Sequence, residues 1–131
     1  MVERRIEVVA GVIWSPQRDA VLLSRRHPDQ HQGDRWEFPG GKIEAGETPA
    51  AALQRELREE LSIDVTDTQL WLQHQHDYAD KQVALQFWHV NAFTGTPTGV
   101  EGQPLRWVKL AALTDYTFPA ANQVVVEALL S

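Results

Sequence analysis

The stretch Gly40-Gly41-Lys42-Ile43-Glu44-Ala45-Gly46-Glu47-Thr48-Pro49, continued by Arg55-Glu56-Leu57-Arg58-Glu59-Glu60, constrains this chain more than any other. Its first half is a glycine-rich loop. Its second half carries the marks of a helix. Thr48 suits an N-cap, and Pro49 suits the first helical position, where a missing N–H costs nothing. At about 100° per residue, Ala50, Leu53, Leu57 and Leu61 form one apolar stripe, so the spacing predicts a helix over 49–61. Glu56, Glu59 and Glu60 fall in the adjoining sector, with Arg55 at its far edge.

Three adjacent carboxylates on one helix face need an explanation, because each like-charge pair at this spacing destabilises a helix by roughly 0.2–0.5 kcal/mol. Charge pattern alone leaves two readings open. One is a solvated acidic face partly neutralised by Arg55 and Arg58. The other is a site for hard divalent cations, which take oxygen ligands.

At 131 residues the chain is long enough to bury a real core, and residues 1–131 read as a single domain. There is no cysteine, which excludes a disulfide framework and a thiolate metal site. No apolar run approaches a membrane span, and the N-terminus lacks the pattern of a signal peptide. A cytoplasmic, monomeric protein is the expectation, with no membrane partner. The net charge of −6 argues against polymeric nucleic acid, which wants a basic face. It does not argue against a nucleotide, since bound cations reverse the local field.

Around the central stretch the pattern alternates strands and turns. Ile6–Trp14 reads as a strand buried on both faces, and Val21–Leu23 as a second strand folding back on it in a hairpin. Arg35–Pro39 is a short strand entering the glycine turn. Ile63–Val65 reads as a brief strand, followed by longer strands over Leu70–Tyr78 and Gln82–Phe93. Leu105–Val108 is a last strand, and Asn122–Leu130 a closing amphipathic helix. This order gives an α+β domain with a mixed sheet and helices on its faces.

The full spacing goes further. Gly41, Glu47, the run Arg55-Glu56-Leu57, the pair Glu59-Glu60 and the aliphatic Ile63 stand in the order and at the intervals of the Nudix box. The chain thus resembles the Nudix hydrolase family, and the resemblance implies the Nudix fold, an α/β/α sandwich around a mixed sheet. One position departs: Ser62 stands where the family usually has Gly, at a helix C-terminus where φ > 0 is common. Trp36–Lys42, Glu101-Gly102-Gln103-Pro104 and Phe118–Asn122 are similar to the MutT branch, which hydrolyses oxidised guanine nucleoside triphosphates.

The resemblance implies residue roles. Glu56, Glu59, Glu60 and Glu101 would ligate Mg²⁺, or Mn²⁺ in its place, with the Gly40 carbonyl assisting. Glycine at 40 and 41 permits φ > 0 and close approach. Arg55 would orient the glutamates, and Glu47 would hold Arg55 or a metal-bound water. Glu56 is the first choice of general base and Glu101 the second. Arg26 would meet the triphosphate, and Lys42 and Lys81 would bind the nucleotide, although Lys81 lacks the planar fork of the Arg that close relatives often carry there. Asn122 would read the purine edge, having a donor and an acceptor together; the competing reading is a helix N-cap. Phe38, with Phe118 or Trp36 beside it, would pack on the base. The implied activity is hydrolysis of a nucleoside triphosphate, 8-oxo-dGTP first, to a monophosphate and pyrophosphate. A pyrimidine triphosphate such as CTP or 5-methyl-dCTP is the alternative substrate, and a non-catalytic nucleotide-sensing module the alternative class.

Overall fold

A computed structural model describes residues 5–30, 33–79 and 81–131. The elements run β1 (Arg5–Ile13), β2 (Ala20–Arg25), β3 (Trp36–Glu37), β4 (Gly40–Lys42), α1 (Pro49–Leu61), β5 (Asp64–Asp77), β6 (Gln82–Thr94), β7 (Leu105–Lys109) and α2 (Gln123–Leu130), with a 3₁₀ turn over Leu110–Asp115 and another over Ala120–Asn122. No helix among the described residues is long and apolar enough to cross a membrane.

The helix α1 forms where the spacing placed it. Thr48 Oγ1 accepts from Ala51 N–H at 3.2 Å, and Pro49 opens the first turn. Its buried side is Ala52, Leu53, Leu57 and Leu61; Ala50, expected in the stripe, is half-buried. Ser62 ends the helix in the left-handed region (φ 58°, ψ 34°), with its N–H donating to Arg58 O at 3.0 Å.

The mixed sheet has the order β4-β1-β6-β5, with β1 parallel to β6 along its whole length and antiparallel to β4. Apolar residues leave it on both faces. Val9, Ile13 and Val90 meet the buried stripe of α1, while Ala10, Val12, Leu85 and Phe87 meet Phe118, Val125 and Val126 at α2. Two helices therefore cover a mixed sheet, as the α+β sandwich requires.

Three expectations are corrected. First, β1 and β2 do not form a hairpin. β2 lies between β3 and β7 in a second, antiparallel sheet, and a lone bridge between Trp14 and Val21 joins it to the end of β1. Ser15 turns the chain between them: its Oγ accepts from Asp19 and Ala20 N–H and donates to Asp19 Oδ1. Second, residues 63–65 and 70–78 do not belong to two strands. β5 is continuous from Asp64 to Asp77, with register shifts between Val65 and Thr68 and between Leu70 and Leu72. Each bulge resets the alternation of faces, so a two-residue period breaks where the strand does not. Third, Gly40–Lys42 is strand rather than turn. A Cβ at Gly40 would stand 2.0 Å from the Val9 carbonyl oxygen, so glycine lets β4 press against β1.

Two outcomes follow from these local structures. Ser62→Gly removes a side chain from a left-handed position, a relief of about 1–2 kcal/mol, and adds unfolded-state entropy costing about 0.5–1 kcal/mol. Chemical denaturation is expected to show a net gain of about 0.5–1 kcal/mol. At the far end of the mixed sheet, Trp14 Nε1 donates to His89 Nδ1 at 3.0 Å, and His89 stacks on Trp71 at 4.4 Å between centroids. Burial first, then the nearby Arg18 charge, holds the His89 pKa below its ordinary value. Its contribution to stability is therefore complete above about pH 6.5, the unfolded value, and is lost as pH falls through the lower folded value. The difference in unfolding free energy between wild type and His89→Phe, measured from pH 8 to pH 5, should shrink over that range.

Candidate active site

The acidic sector of α1 is organised by one guanidinium. Arg55 donates to both oxygens of Glu47 (Nε to Oε2 2.7 Å, Nη2 to Oε1 2.9 Å), to Glu56 Oε1 at 2.9 Å, to Glu59 Oε2 at 3.4 Å and to the Lys42 carbonyl at 3.0 Å. Glu44 pairs with it more loosely at 3.7 Å. Glu47 also accepts the Glu44 N–H at 3.0 Å. The Arg55 bond, aided by that backbone N–H, lowers the Glu47 carboxyl to about pKa 2. Arg55 in turn is held protonated more firmly than usual, first by Glu47 and then by Glu56. The loop before the helix is thereby pinned to the helix, and Glu56 is fixed in direction.

Glycine completes the packing. A Cβ on Gly41 would stand 2.3 Å from the Glu56 carboxylate, so β4 lies flat against that side chain only because position 41 has none. The expected use of φ > 0 is not what Gly40 and Gly41 supply; the positive-φ glycines are Gly46, Gly95 and Gly102.

Four carboxylates from three parts of the chain act on one another here. Glu60 is pushed up to about pKa 8, by burial first and then by the charges of Glu56, Glu37 and Glu101. Glu37, on β3, is also raised, by burial that outweighs its ion pair with Arg26 (Nη1 to Oε1 2.6 Å). Among the described residues no three such groups form a closed metal cluster. The donor set nevertheless fits a hard cation: it is all oxygen, and it is short of positive charge at Glu60. Glu56, Glu60 and Glu101 are the side chains that could hold one, with Glu37 behind them. Glu59 stands apart, exposed and turned to Arg55.

A cavity of about 460 Å³ opens from this acidic group. Its walls include Glu56, Glu60, Gly40, Gly41, Lys42 and Arg26, and also Phe38, Val83, Leu85, Lys81 and Asn122. Asn122 is 6% exposed and makes no capping hydrogen bond. The helix-cap reading is thus set aside. Asn122 ends the 3₁₀ turn with helical angles (φ −90°, ψ −10°), whereas an N-cap side chain folds back from extended backbone. Phe38 borders the cavity but is core: it stacks on Phe118 at 5.7 Å and meets Phe87 edge-on at 6.3 Å. Phe118 and Trp36 do not reach the cavity wall. Phe118 fills the space behind Phe38, and Trp36 packs against Tyr116 at 5.5 Å.

A second cavity of about 590 Å³ adjoins the first through Arg26, Glu37 and Glu60, and Glu101 lies on its wall. Gln103 holds the Glu101 loop to the end of α1, accepting Glu101 N–H at 2.9 Å and donating to the Glu60 carbonyl at 3.1 Å. Sequence reasoning missed Glu37 and Gln103. Glu37 left one signal, a charge between Trp36 and Phe38 in a strand; Gln103 left none beyond its place in the loop motif.

Residues 9–128 match the NUDIX domain family. The 8-oxo-dGTP diphosphatase of Escherichia coli K12 is 37% identical over 126 residues, covering 96% of this chain and 97% of that protein. The CTP pyrophosphohydrolase of the same organism is also 37% identical, covering 98% of this chain and 93% of its own length. Among solved structures, a MutT from a study of the Aliivibrio salmonicida and Vibrio cholerae enzymes superposes with a TM-score of 0.85 at 41% identity, covering 97% of this chain and 98% of that one. A sandwich of this topology, a glutamate-bearing helix packed on a glycine strand, and relatives matched nearly end to end converge on one conclusion: the chain is a Nudix hydrolase, a member of the NUDIX domain family.

Proposed function

We propose that residues 1–131 form a single catalytic domain that hydrolyses nucleoside triphosphates to a nucleoside monophosphate and pyrophosphate, with 8-oxo-dGTP as its preferred substrate and Mg²⁺ as its metal. One observation carries the reading. Glu56, Glu60 and the buried Asn122, whose side chain makes no capping bond, line one cavity of about 460 Å³, large enough for a base and its phosphates.

Nudix hydrolases depend on divalent metals, and such ions neutralise phosphate charge and lower the pKa of an attacking water. In the proposed scheme Glu56, Glu60 and Glu101, with the Gly40 carbonyl, would hold them; Glu59 would join only by turning away from Arg55. Phosphoanhydride cleavage otherwise needs positioning and electrostatics rather than covalent chemistry. Arg26, Lys42 and Lys81 orient the triphosphate. A water oxygen bonds to the β-phosphorus as the bond from that phosphorus to the α–β bridging oxygen breaks. Glu56, held by Arg55, takes the water proton; Glu101 is the second candidate for that role.

Base choice follows from hydrogen bonding. Guanine N7 is an acceptor, whereas in the 8-oxo base it carries a hydrogen and donates. A buried acceptor in the cavity rewards the oxidised base and is left unpaired by the normal one, and sites built on such a bond discriminate by about 10⁴–10⁵. In this reading the amide of Asn122, which lines the cavity, meets the purine edge. CTP is the second reading, favoured by the equal identity to a CTP pyrophosphohydrolase.

Two sets of measurements test this. Glu56→Gln is expected to lower kcat by about 10²–10⁴, the usual scale of general-base loss, and Glu60→Gln to lower it too; chelation should abolish turnover and Mg²⁺ restore it. Wild-type rates in both variants would refute the assigned site. Separately, Asn122→Ala should raise KM for 8-oxo-dGTP about tenfold or more, with kcat little changed, in keeping with one buried polar contact. A higher kcat/KM for CTP than for 8-oxo-dGTP in wild type would transfer the assignment to the pyrimidine.

A further inference from the structure

Tyr78 follows β5 directly, and with Lys81 it closes the turn into β6: Tyr78 N–H donates to the Lys81 carbonyl at 2.8 Å, and Lys81 N–H to the Tyr78 carbonyl at 3.4 Å. Its ring lies edge-to-face on His76 at 4.6 Å. Its hydroxyl accepts the backbone N–H of Ala121 at 2.9 Å. Tyr78, Lys81, Ala121 and Asn122 all line the same cavity.

This contact meets a specific need. The first N–H groups of a helical segment have no partner within it, and Ala121 is 3% exposed, so water does not supply one freely. Asn122 N–H is satisfied by the Pro119 carbonyl at 2.9 Å; the Ala121 N–H is satisfied by the tyrosine. Asn122 has no capping bond to fix its side chain, so the aim of its amide depends on where its backbone is held. The nearest external anchor is one residue away, at the Tyr78 hydroxyl.

We propose that Tyr78 is a positioning residue for base selection: its hydroxyl fixes the Ala121–Asn122 backbone to the Lys81 turn, so that the Asn122 amide and the Lys81 ammonium keep a set separation across the cavity. This rests on the reading of Asn122 as the residue that meets the base. The ring alone does not suffice, because the anchor is a hydrogen bond and not a packing contact.

Tyr78→Phe keeps the ring and deletes the anchor. KM for 8-oxo-dGTP should rise about three- to tenfold, the scale of one buried hydrogen bond, with kcat within about twofold. The kcat/KM ratio of 8-oxo-dGTP over dGTP should fall by a similar factor, and amide exchange at Ala121 should quicken. In an Asn122→Ala background the same substitution should change neither KM nor the ratio further, because the two act as a unit. Effects that add in the double variant, a wild-type KM in Tyr78→Phe, or an equal loss of kcat with every nucleotide would each overturn the proposal. The parent reading is tested apart: if Asn122→Ala alone leaves the ratio unchanged, base recognition by Asn122 fails and this inference falls with it. If Asn122→Ala lowers the ratio and Tyr78→Phe does not, only the role of Tyr78 is lost.

Discussion

The Arg55 guanidinium is the contact on which the site depends. It offers five N–H donors in a rigid fork, and in this chain they are spread over Glu47, Glu56, Glu59 and a backbone carbonyl. A single exposed ion pair is worth about 0–1 kcal/mol. This one differs in kind, because it is bidentate to Glu47, largely shielded and shared among several carboxylates. It offsets part of the repulsion that Glu56, Glu59 and Glu60 impose on one helix face. It also ties the loop before α1 to the helix, which a pair between neighbouring turns of one helix would not do.

The same helix has a second task. Leu53, Leu57 and Leu61 are fully buried against the mixed sheet and fix the rotation of α1 about its axis. Once that rotation is set, Glu56 and Glu60 must face β4 and the cavity, since residues three and four apart share a side. Gly41 admits the Glu56 carboxylate where any side chain would collide. Core packing and site geometry are therefore one constraint. What this leaves is charge repulsion at the half-buried Glu60, from Glu56, Glu37 and Glu101, on a helix whose leucines are fully buried.

What was legible in the sequence follows from how far each interaction reaches along the chain. The helix α1, its Thr48 cap, its Pro49 start and its Ser62 end all depend on neighbours within a few residues, and all were readable. The grouping of Glu56, Glu60 and Arg55 was readable too, from spacing on one helix; Glu47 joined it only through the resemblance to the Nudix box. Strand pairing was not. β1 and β2 are adjacent in sequence and both apolar, yet they join different sheets, and hydrophobicity does not say which apolar strands pair. β5 was split in two because its bulges reset the alternation that a two-residue period looks for. Gly40–Lys42 read as a turn because glycine gives no strand signal, although a missing side chain is what lets the strand form there. Glu37, Gln103 and Tyr78 act on groups 23, 43 and 43 positions away, respectively, and nothing nearby in sequence announces them.

This division of distances separates chemistry from specificity. The groups proposed to act on phosphate lie mostly within one short stretch, Gly40 to Glu60, so they can be kept together while the rest of the chain changes. The other cavity-lining groups, proposed to surround the base, come from β3's end, β6, the β5–β6 turn and the 3₁₀ turn before α2, and they meet only because the sandwich folds. Their mutual positions shift with any change in the turns that carry them. Two relatives named for different bases, one an 8-oxo-dGTP diphosphatase and one a CTP pyrophosphohydrolase, match this chain at the same 37% identity. Overall identity therefore does not choose between them. On the proposed reading the choice lies in how a few residues such as Asn122 are held, and that would be a property of backbone anchoring rather than of the glutamate helix.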